Sequence, residues 1–168
     1  MEFKKYKDIL KPDQAWGLLR GMTGQEITLE LIYTVLEKMH LNGSVPEEIQ
    51  DQFNVTRNLI IYTWFCYSLE PTAVLKSYVL IEHALRLKYE DDETAFYVLV
   101  KRSIEEGLII DKGFSHIRAS LDPQEYSKKM PGIISKLRNS KAHGDNTLGE
   151  DPLMSLQISI DFINMLFK

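Results

Sequence analysis

The sequence has one cysteine and no long apolar run. Cys66 has no second cysteine with which to form an internal disulfide, as is usual in a reducing cytosol. The longest apolar run, 59–69, has eleven residues, whereas a membrane-spanning helix needs about 20. No apolar stretch follows the charges at the start of the sequence, so no secretory signal is visible. We therefore expect a cytoplasmic protein that does not enter a membrane.

Motifs for metals, cofactors and common nucleophiles are also missing. The four histidines, His40, His83, His116 and His143, lie far apart, and no His or Cys pair has the spacing of zinc ligands. There is no glycine-rich phosphate loop and no Gly-x-Ser-x-Gly elbow. The sequence predicts no metal and no cofactor.

Charge is unevenly distributed. The 168 residues include 24 acidic and 20 basic ones, a formal net charge of -4, which argues against a protein that coats nucleic acid along its whole surface. The window 126–144, however, holds five lysines or arginines and no acid, and it surrounds His143. This pattern favours a local site for a phosphate or carboxylate.

Apolar residues recur at helical spacing along most of the chain, and no segment alternates as an exposed strand does. We predict an all-α fold, an antiparallel bundle of about five longer helices plus short extra helices. The longer helices are expected over about 25–41, 55–69, 72–90, 94–106 and 153–167. A further helix would open at Asp122–Pro123, break near Met130–Pro131–Gly132 and resume to His143. The chain is interpreted as one domain, 1–168, with a helical extension (1–50) and a core bundle (55–167).

Two segments carry more specific expectations. Asn54 is expected to cap the helix 55–69, which is apolar nearly all round and is predicted to be the central buried helix. A buried strand is the alternative there, because the run is rich in Ile, Tyr, Trp and Phe. Near the start, Phe3, Tyr6 and Ile9–Leu10 give a short basic segment a helical apolar edge, which Pro12 ends.

Glu82 falls inside the apolar stripe of the helix 72–90, where a carboxylate must find a partner. Arg86, four residues later on the same helix, is one candidate. Arg138, on a neighbouring helix, is the other.

The segment 131–144 combines groups suited to phosphate chemistry. On a helical wheel Ile133, Ile134 and Leu137 share the core side, and Arg138 flanks it. The opposite arc carries four small or polar residues: Ser135, Asn139, Ala142 and His143.

Arg138 and His143 are separated by roughly 140° around the helix axis, so their side chains diverge. They can act together if Gly144 ends the helix in a left-handed conformation and the imidazole turns back. Alternatively, a second subunit supplies one member of the pair, and the small Ala142 and Ser135 permit close approach.

A histidine suits proton transfer near neutrality, and an arginine binds phosphate oxygens. An asparagine can orient the imidazole or donate to the phosphate. Such a set suffices to cleave RNA without a metal. On spacing alone, an exposed basic helix end is the favoured interpretation.

The stretch Leu137-Arg138-Asn139-Ser140-Lys141-Ala142-His143-Gly144 resembles the signature of the HEPN superfamily. These all-α domains carry an Arg, four to six intervening residues and a His, with a polar residue after the Arg. A helix bearing Glu82 before the motif and an apolar helix after it also agree.

The resemblance implies a homodimeric, metal-independent endoribonuclease that serves as a toxin, in antiviral defence or in RNA processing, with RNA as substrate. Arg138, Asn139 and His143 would be catalytic, Lys136 and Lys141 would help RNA to enter, and Ser140 and Glu82 would support the site. An antitoxin or another defence-system protein is a possible partner. Some members of the superfamily only bind RNA, nucleotides or proteins. Gly144–Asp145 stands where members controlled by nucleotidylation have x-Tyr, so that control is not expected.

Overall fold

The chain folds into α-helices joined by turns, in a computed structural model that describes residues 3–24, 26–117, 124–148 and 150–168. Seven α-helices and four short 3₁₀ helices occur in these ranges, and no strand does. The α-helices are α1 (Gln14–Thr23), α2 (Leu29–Glu37), α3 (Glu47–Tyr62), α4 (Glu70–Tyr89), α5 (Phe96–Glu105), α6 (Met130–Ala142) and α7 (Pro152–Leu166). The 3₁₀ helices are Tyr6–Asp8, Tyr67–Leu69, Asp111–Gly113 and Ser127–Lys129. The predicted all-α class is confirmed.

Helix α4 is the centre of the bundle, and it packs against α3, α5, α6 and α7. Pro71 lies in its first turn, where the missing N–H leaves no broken hydrogen bond. Its buried side chains include Val74, Tyr78 and Ile81. The predicted helix 72–90 is therefore confirmed, and it takes the central position that the sequence assigned to 55–69.

The helix predicted over 55–69 is present only as far as Tyr62, and its predicted bounds are wrong. Helix α3 begins earlier, after Pro46, and ends at Tyr62, so that Asn54 lies inside it rather than capping it. The hydroxyl of Thr63 donates to the carbonyl of Ile60 at 2.7 Å as the helix ends. The aromatic residues beyond pack with α1 instead, because the rings of Trp64 and Tyr67 both contact Trp16.

The observed boundaries of the other helices differ less from the predicted ones. Helix α2 is shorter than predicted and starts after Thr28, whose hydroxyl accepts from the N–H of Leu31 at 3.1 Å. Helix α7 begins as predicted, with a carboxylate oxygen of Asp151 accepting from the N–H of Leu153 at 2.9 Å. It lies along α4, and the Ser159 hydroxyl donates to the carbonyl of Ser77 across that contact.

Helix α6 carries the basic motif. Met130, Pro131 and Gly132 begin this helix and do not interrupt it, since a proline is tolerated in the first turn. The predicted start at Asp122–Pro123 lies outside the described residues. No helix within the described ranges combines the length and the apolar character that a membrane span requires.

Candidate active site

Arg138 is held on the surface of the bundle by Glu82 of α4. The Nε of Arg138 donates to Oε2 of Glu82 at 3.0 Å, and Nη2 lies 2.8 Å from the same oxygen. The carboxylate is buried, whereas about a third of the arginine side chain is exposed. This geometry fixes one edge of the guanidinium against the bundle and leaves the other edge toward solvent.

Glu82 also binds Arg86, through its other oxygen. Nη2 of Arg86 lies 2.8 Å from Oε1 of Glu82, and Nη1 of Arg86 donates to the backbone carbonyl of Asp91 at 3.3 Å. Both partners that the sequence offered for Glu82 are therefore present. One carboxylate thus contacts two guanidinium groups, and the carboxylate of Asp91 is a second acid within electrostatic reach of Arg86.

Asn139 follows Arg138 and shares its guanidinium. Nη1 of Arg138 donates to Oδ1 of Asn139 at 3.1 Å, and the Asn139 side chain is exposed. A guanidinium has five N–H donors. Two are directed at Glu82 and one at Asn139, which leaves two for a ligand such as phosphate.

His143 is the residue at which α6 ends. Its backbone N–H donates to the carbonyl of Asn139 at 3.0 Å, and its side chain is exposed. Gly144 follows with φ of 92°, the left-handed conformation required by one of the two geometries that the sequence offered. The N–H groups of Gly144 and Asp145 then donate to the carbonyls of Lys141 and Ser140, which completes a Schellman turn.

Arg138 and His143 are not joined to each other. The imidazole makes no hydrogen bond or ion pair with any residue that the structure describes, and Arg138 faces α4. The divergence expected from the helical wheel agrees with these contacts. Within one copy of the chain, the imidazole and the guanidinium are separate groups.

Lys141 is buried, so it does not have the exposed position that a residue helping RNA to enter would need. Its side chain is 1% exposed, and its ammonium contacts Oε1 of Glu150 at 3.2 Å and Oδ2 of Asp145 at 3.6 Å. It also donates to the carbonyl of Thr147 at 2.8 Å. The ammonium is thus enclosed by the loop that follows α6, and it anchors that loop.

Ser140 belongs to the same anchor. Its hydroxyl lies 2.9 Å from Oδ2 of Asp145, whose other oxygen accepts from the backbone N–H of Thr147 at 2.9 Å. Hydrogen bonds from Thr147, with one from Ser140, hold the pKa of Asp145 well below its usual range. The stability that these hydrogen bonds to the Asp145 carboxylate contribute is present in full at neutral pH. It is lost as the pH falls through the lowered pKa of Asp145.

Two assignments of faces on α6 are wrong. Ile133, expected in the core, is 48% exposed, and Ser135, expected on the outer arc, is buried. The inner face instead follows Met130, Ile134 and Lys141, so the helix is turned relative to the predicted orientation. Lys136 and Ala142 lie on the exposed side.

We expect replacement of Lys141 by methionine to lower the free energy of unfolding by about 1–3 kcal/mol, because it leaves two carboxylates without their buried cation. Urea denaturation measures the change. Lys136→Met is the matched control, since Lys136 is exposed on the same helix, and it is expected to change stability by about 0.5 kcal/mol or less. Equal stability of the two variants would contradict the anchoring role.

No group of three or more metal-binding side chains is found among the described residues. Comparison with protein-family models, with curated proteins and with solved structures finds no match to this chain. The functional assignment therefore rests on the motif and on the chemistry of the site itself.

Proposed function

We propose that this chain is a HEPN-type endoribonuclease, which cleaves RNA through attack by the 2′-hydroxyl and without a metal. The observation that carries the proposal is the arginine of the motif, fixed by Glu82 on a helix whose end presents Asn139 and His143 to solvent. A guanidinium, a carboxamide and an imidazole then lie within two turns of one exposed helix end.

The reaction needs two proton transfers and one displacement. A base takes the proton of the 2′-hydroxyl, the 2′-oxygen bonds to the adjacent phosphorus, and the bond from phosphorus to the 5′-oxygen breaks. The departing 5′-oxygen takes up a proton. His143 is the group assigned to proton transfer, since imidazole can serve as acid or base near neutrality. DNA lacks the attacking hydroxyl and is spared.

Arg138 supplies charge for the phosphate. Its two remaining N–H groups can donate to the non-bridging oxygens, which gain negative charge as the 2′-oxygen attacks. Glu82 holds the guanidinium in one orientation, so less conformational freedom is lost when the phosphate binds. Arg86 shares the charge of Glu82, so Glu82 does not by itself cancel the charge that Arg138 offers to the phosphate.

The divergence of Arg138 and His143 favours a site shared between two copies. The exposed residues at the end of α6 include Ala142 and His143, and the small side chain of Ala142 suits the close approach of a second helix next to the imidazole. A twofold axis beside this helix end would bring the His143 of one subunit toward the Arg138 of the other. We therefore propose a homodimer. A role in defence or RNA processing and an antitoxin partner are proposed from the resemblance alone, and a cytoplasmic location is proposed from the composition of the sequence.

The test is cleavage of a labelled single-stranded RNA by the purified chain in EDTA. We expect fragments from RNA and none from DNA of the same sequence. Absence of cleavage on every RNA tried would contradict the proposal. RNA that is bound but stays intact after long incubation would favour the alternative, a HEPN-like module that only binds RNA.

A further inference from the structure

A short basic segment near the start of the chain exposes its aromatic rings. Residues 3–11, here called the arm, contain four lysines and one aspartate, although the whole chain carries a net charge of -4. Phe3 is 100% exposed and Tyr6 is 92% exposed. The segment forms only a single 3₁₀ turn, Tyr6–Asp8, and not the amphipathic helix that the sequence predicted. Its rings therefore do not share a helical face, and neither of them packs on the core.

The chain is anchored directly after the arm. Asp13 accepts from the N–H of Tyr67 at 2.9 Å and donates its own N–H to the carbonyl of Trp64 at 2.9 Å. The indole of Trp16 donates to the carbonyl of Trp64 at 3.1 Å. The base of the arm is thus fixed on the turn between α3 and α4, while its two rings remain in solvent.

The arm also borders an open recess. The Lys4 ammonium donates to the carbonyl of Lys11 at 2.7 Å, which closes the segment on itself. The recess measures about 680 Å³, and Phe3 and Lys5 are among its lining residues. Lys5 and Lys7 make no ion pair with any described residue. Asp8, the acid of the arm, is bound by Lys11 at 2.7 Å. Two uncommitted cations thus lie beside two exposed rings.

The base of the arm lies at the end of the bundle toward which α6 runs. Arg138 of α6 pairs with Glu82 of α4, and Lys141, at the end of α6, pairs with Glu150, which lies near Tyr78. The chain after α6 therefore runs toward the beginning of α4. Burial and the hydrogen bond to Glu70 raise the pKa of Tyr67 to about 12, and Asp151 lies close enough to add to that shift. Tyr67 is the residue whose N–H binds Asp13. The chain that leaves His143 therefore reaches the turn on which the arm is anchored.

We propose that the arm binds single-stranded RNA that extends beyond the cleavage site. Phe3 and Tyr6 stack on bases, and Lys5 and Lys7 contact phosphates. Exposed rings interleaved with cations are the arrangement with which proteins hold single strands regardless of sequence. The assignment of RNA as the ligand rests on the proposed ribonuclease function. An anionic membrane is disfavoured, because binding at its surface needs a helix with a continuous apolar face.

The test is the affinity of the full chain for a fluorescent single-stranded DNA oligonucleotide, which offers bases and phosphates but cannot be cleaved by 2′-hydroxyl attack. We expect Phe3→Ala/Tyr6→Ala to weaken binding at least about tenfold, since each stacked base contributes about 1–3 kcal/mol. The matched control is Leu18→Ala/Met22→Ala, which removes two exposed apolar side chains from the neighbouring α1, and we expect an unchanged Kd. For Lys5→Gln/Lys7→Gln we expect the slope of log K against log salt concentration to become shallower by about 1.4, because two phosphate contacts are lost.

No binding by the wild type, or a Kd unaffected by the Phe3/Tyr6 change, would overturn the proposal. Phe3- and Tyr6-dependent binding to vesicles of phosphatidylserine and phosphatidylcholine, without binding to the oligonucleotide, would overturn it in favour of a membrane surface. The outcome is separable from the ribonuclease question. A chain that binds the oligonucleotide through the arm but cuts no RNA would refute only the proposed catalysis. A chain that cuts RNA but binds the oligonucleotide equally well after the Phe3/Tyr6 change would refute only this inference.

Discussion

Replacement of Glu82 by alanine is expected to lower the free energy of unfolding by about 3 kcal/mol. The carboxylate is buried and receives two guanidinium groups, at 2.8 Å from Arg86 and 2.8 Å from Arg138. Its removal leaves two guanidinium groups side by side without the carboxylate that both of them contact. Breaking a buried pair costs about 3–5 kcal/mol, and the low end applies because both arginines keep partial access to water. Urea denaturation of the two proteins measures the difference.

A surface glutamate provides the control. Glu48 is bound to His83, the residue next to Glu82, at 2.7 Å, but most of the Glu48 side chain is in solvent. Glu48→Ala should therefore cost about 1 kcal/mol or less. If Glu82→Ala were no more destabilising than Glu48→Ala, Glu82 could not be the group that fixes Arg138.

Replacement of His143 by glutamine is expected to reduce the rate of RNA cleavage by about 100- to 10,000-fold, the usual contribution of a general acid or base. Stability should change by no more than about 0.5 kcal/mol, because the imidazole is exposed and the helix end is formed by backbone groups and Gly144. Single-turnover cleavage and urea denaturation measure the two quantities on the same preparation.

Lys136→Gln is the control for the loss of cleavage rate expected in His143→Gln. It removes an exposed positive charge from the same helix and tests whether the effect of His143 is only electrostatic attraction of RNA. We expect less than about a tenfold effect for Lys136→Gln, which weakens when salt is added. A His143→Gln protein that cleaves at the wild-type rate would remove His143 from the mechanism.

The helix pattern and the local contacts of Glu82 could be read from the sequence. A carboxylate in an apolar stripe requires a cation, and the sequence offered two, Arg86 and Arg138. Both bind, because the two oxygens of one carboxylate can serve two guanidinium groups. The caps at Asp151 and Gly144 were predictable for the same kind of reason, since each residue type satisfies a local backbone requirement.

Packing between distant segments was not predictable in this way. The run 59–69 is apolar enough for a central helix, yet Trp64 and Tyr67 leave the helix to pack with Trp16, a contact separated by about fifty residues of chain. Lys141 appeared to be a surface cation because lysines are usually exposed. Its burial depends on the acids of a loop that lies after the motif, although the spacing of Met130, Ile134 and Lys141 on one helical face was a usable signal.

In the proposed mechanism the 2′-hydroxyl of RNA is the nucleophile and His143 moves its proton. The most direct measurement is the chemistry of the product ends after cleavage in EDTA. Attack by the 2′-oxygen must leave a 2′,3′-cyclic phosphate on one fragment and a 5′-hydroxyl on the other, and an RNA with 2′-deoxy sugars must stay intact. Fragments with 3′-hydroxyl and 5′-phosphate ends, or cleavage of the deoxy substrate, would contradict the account.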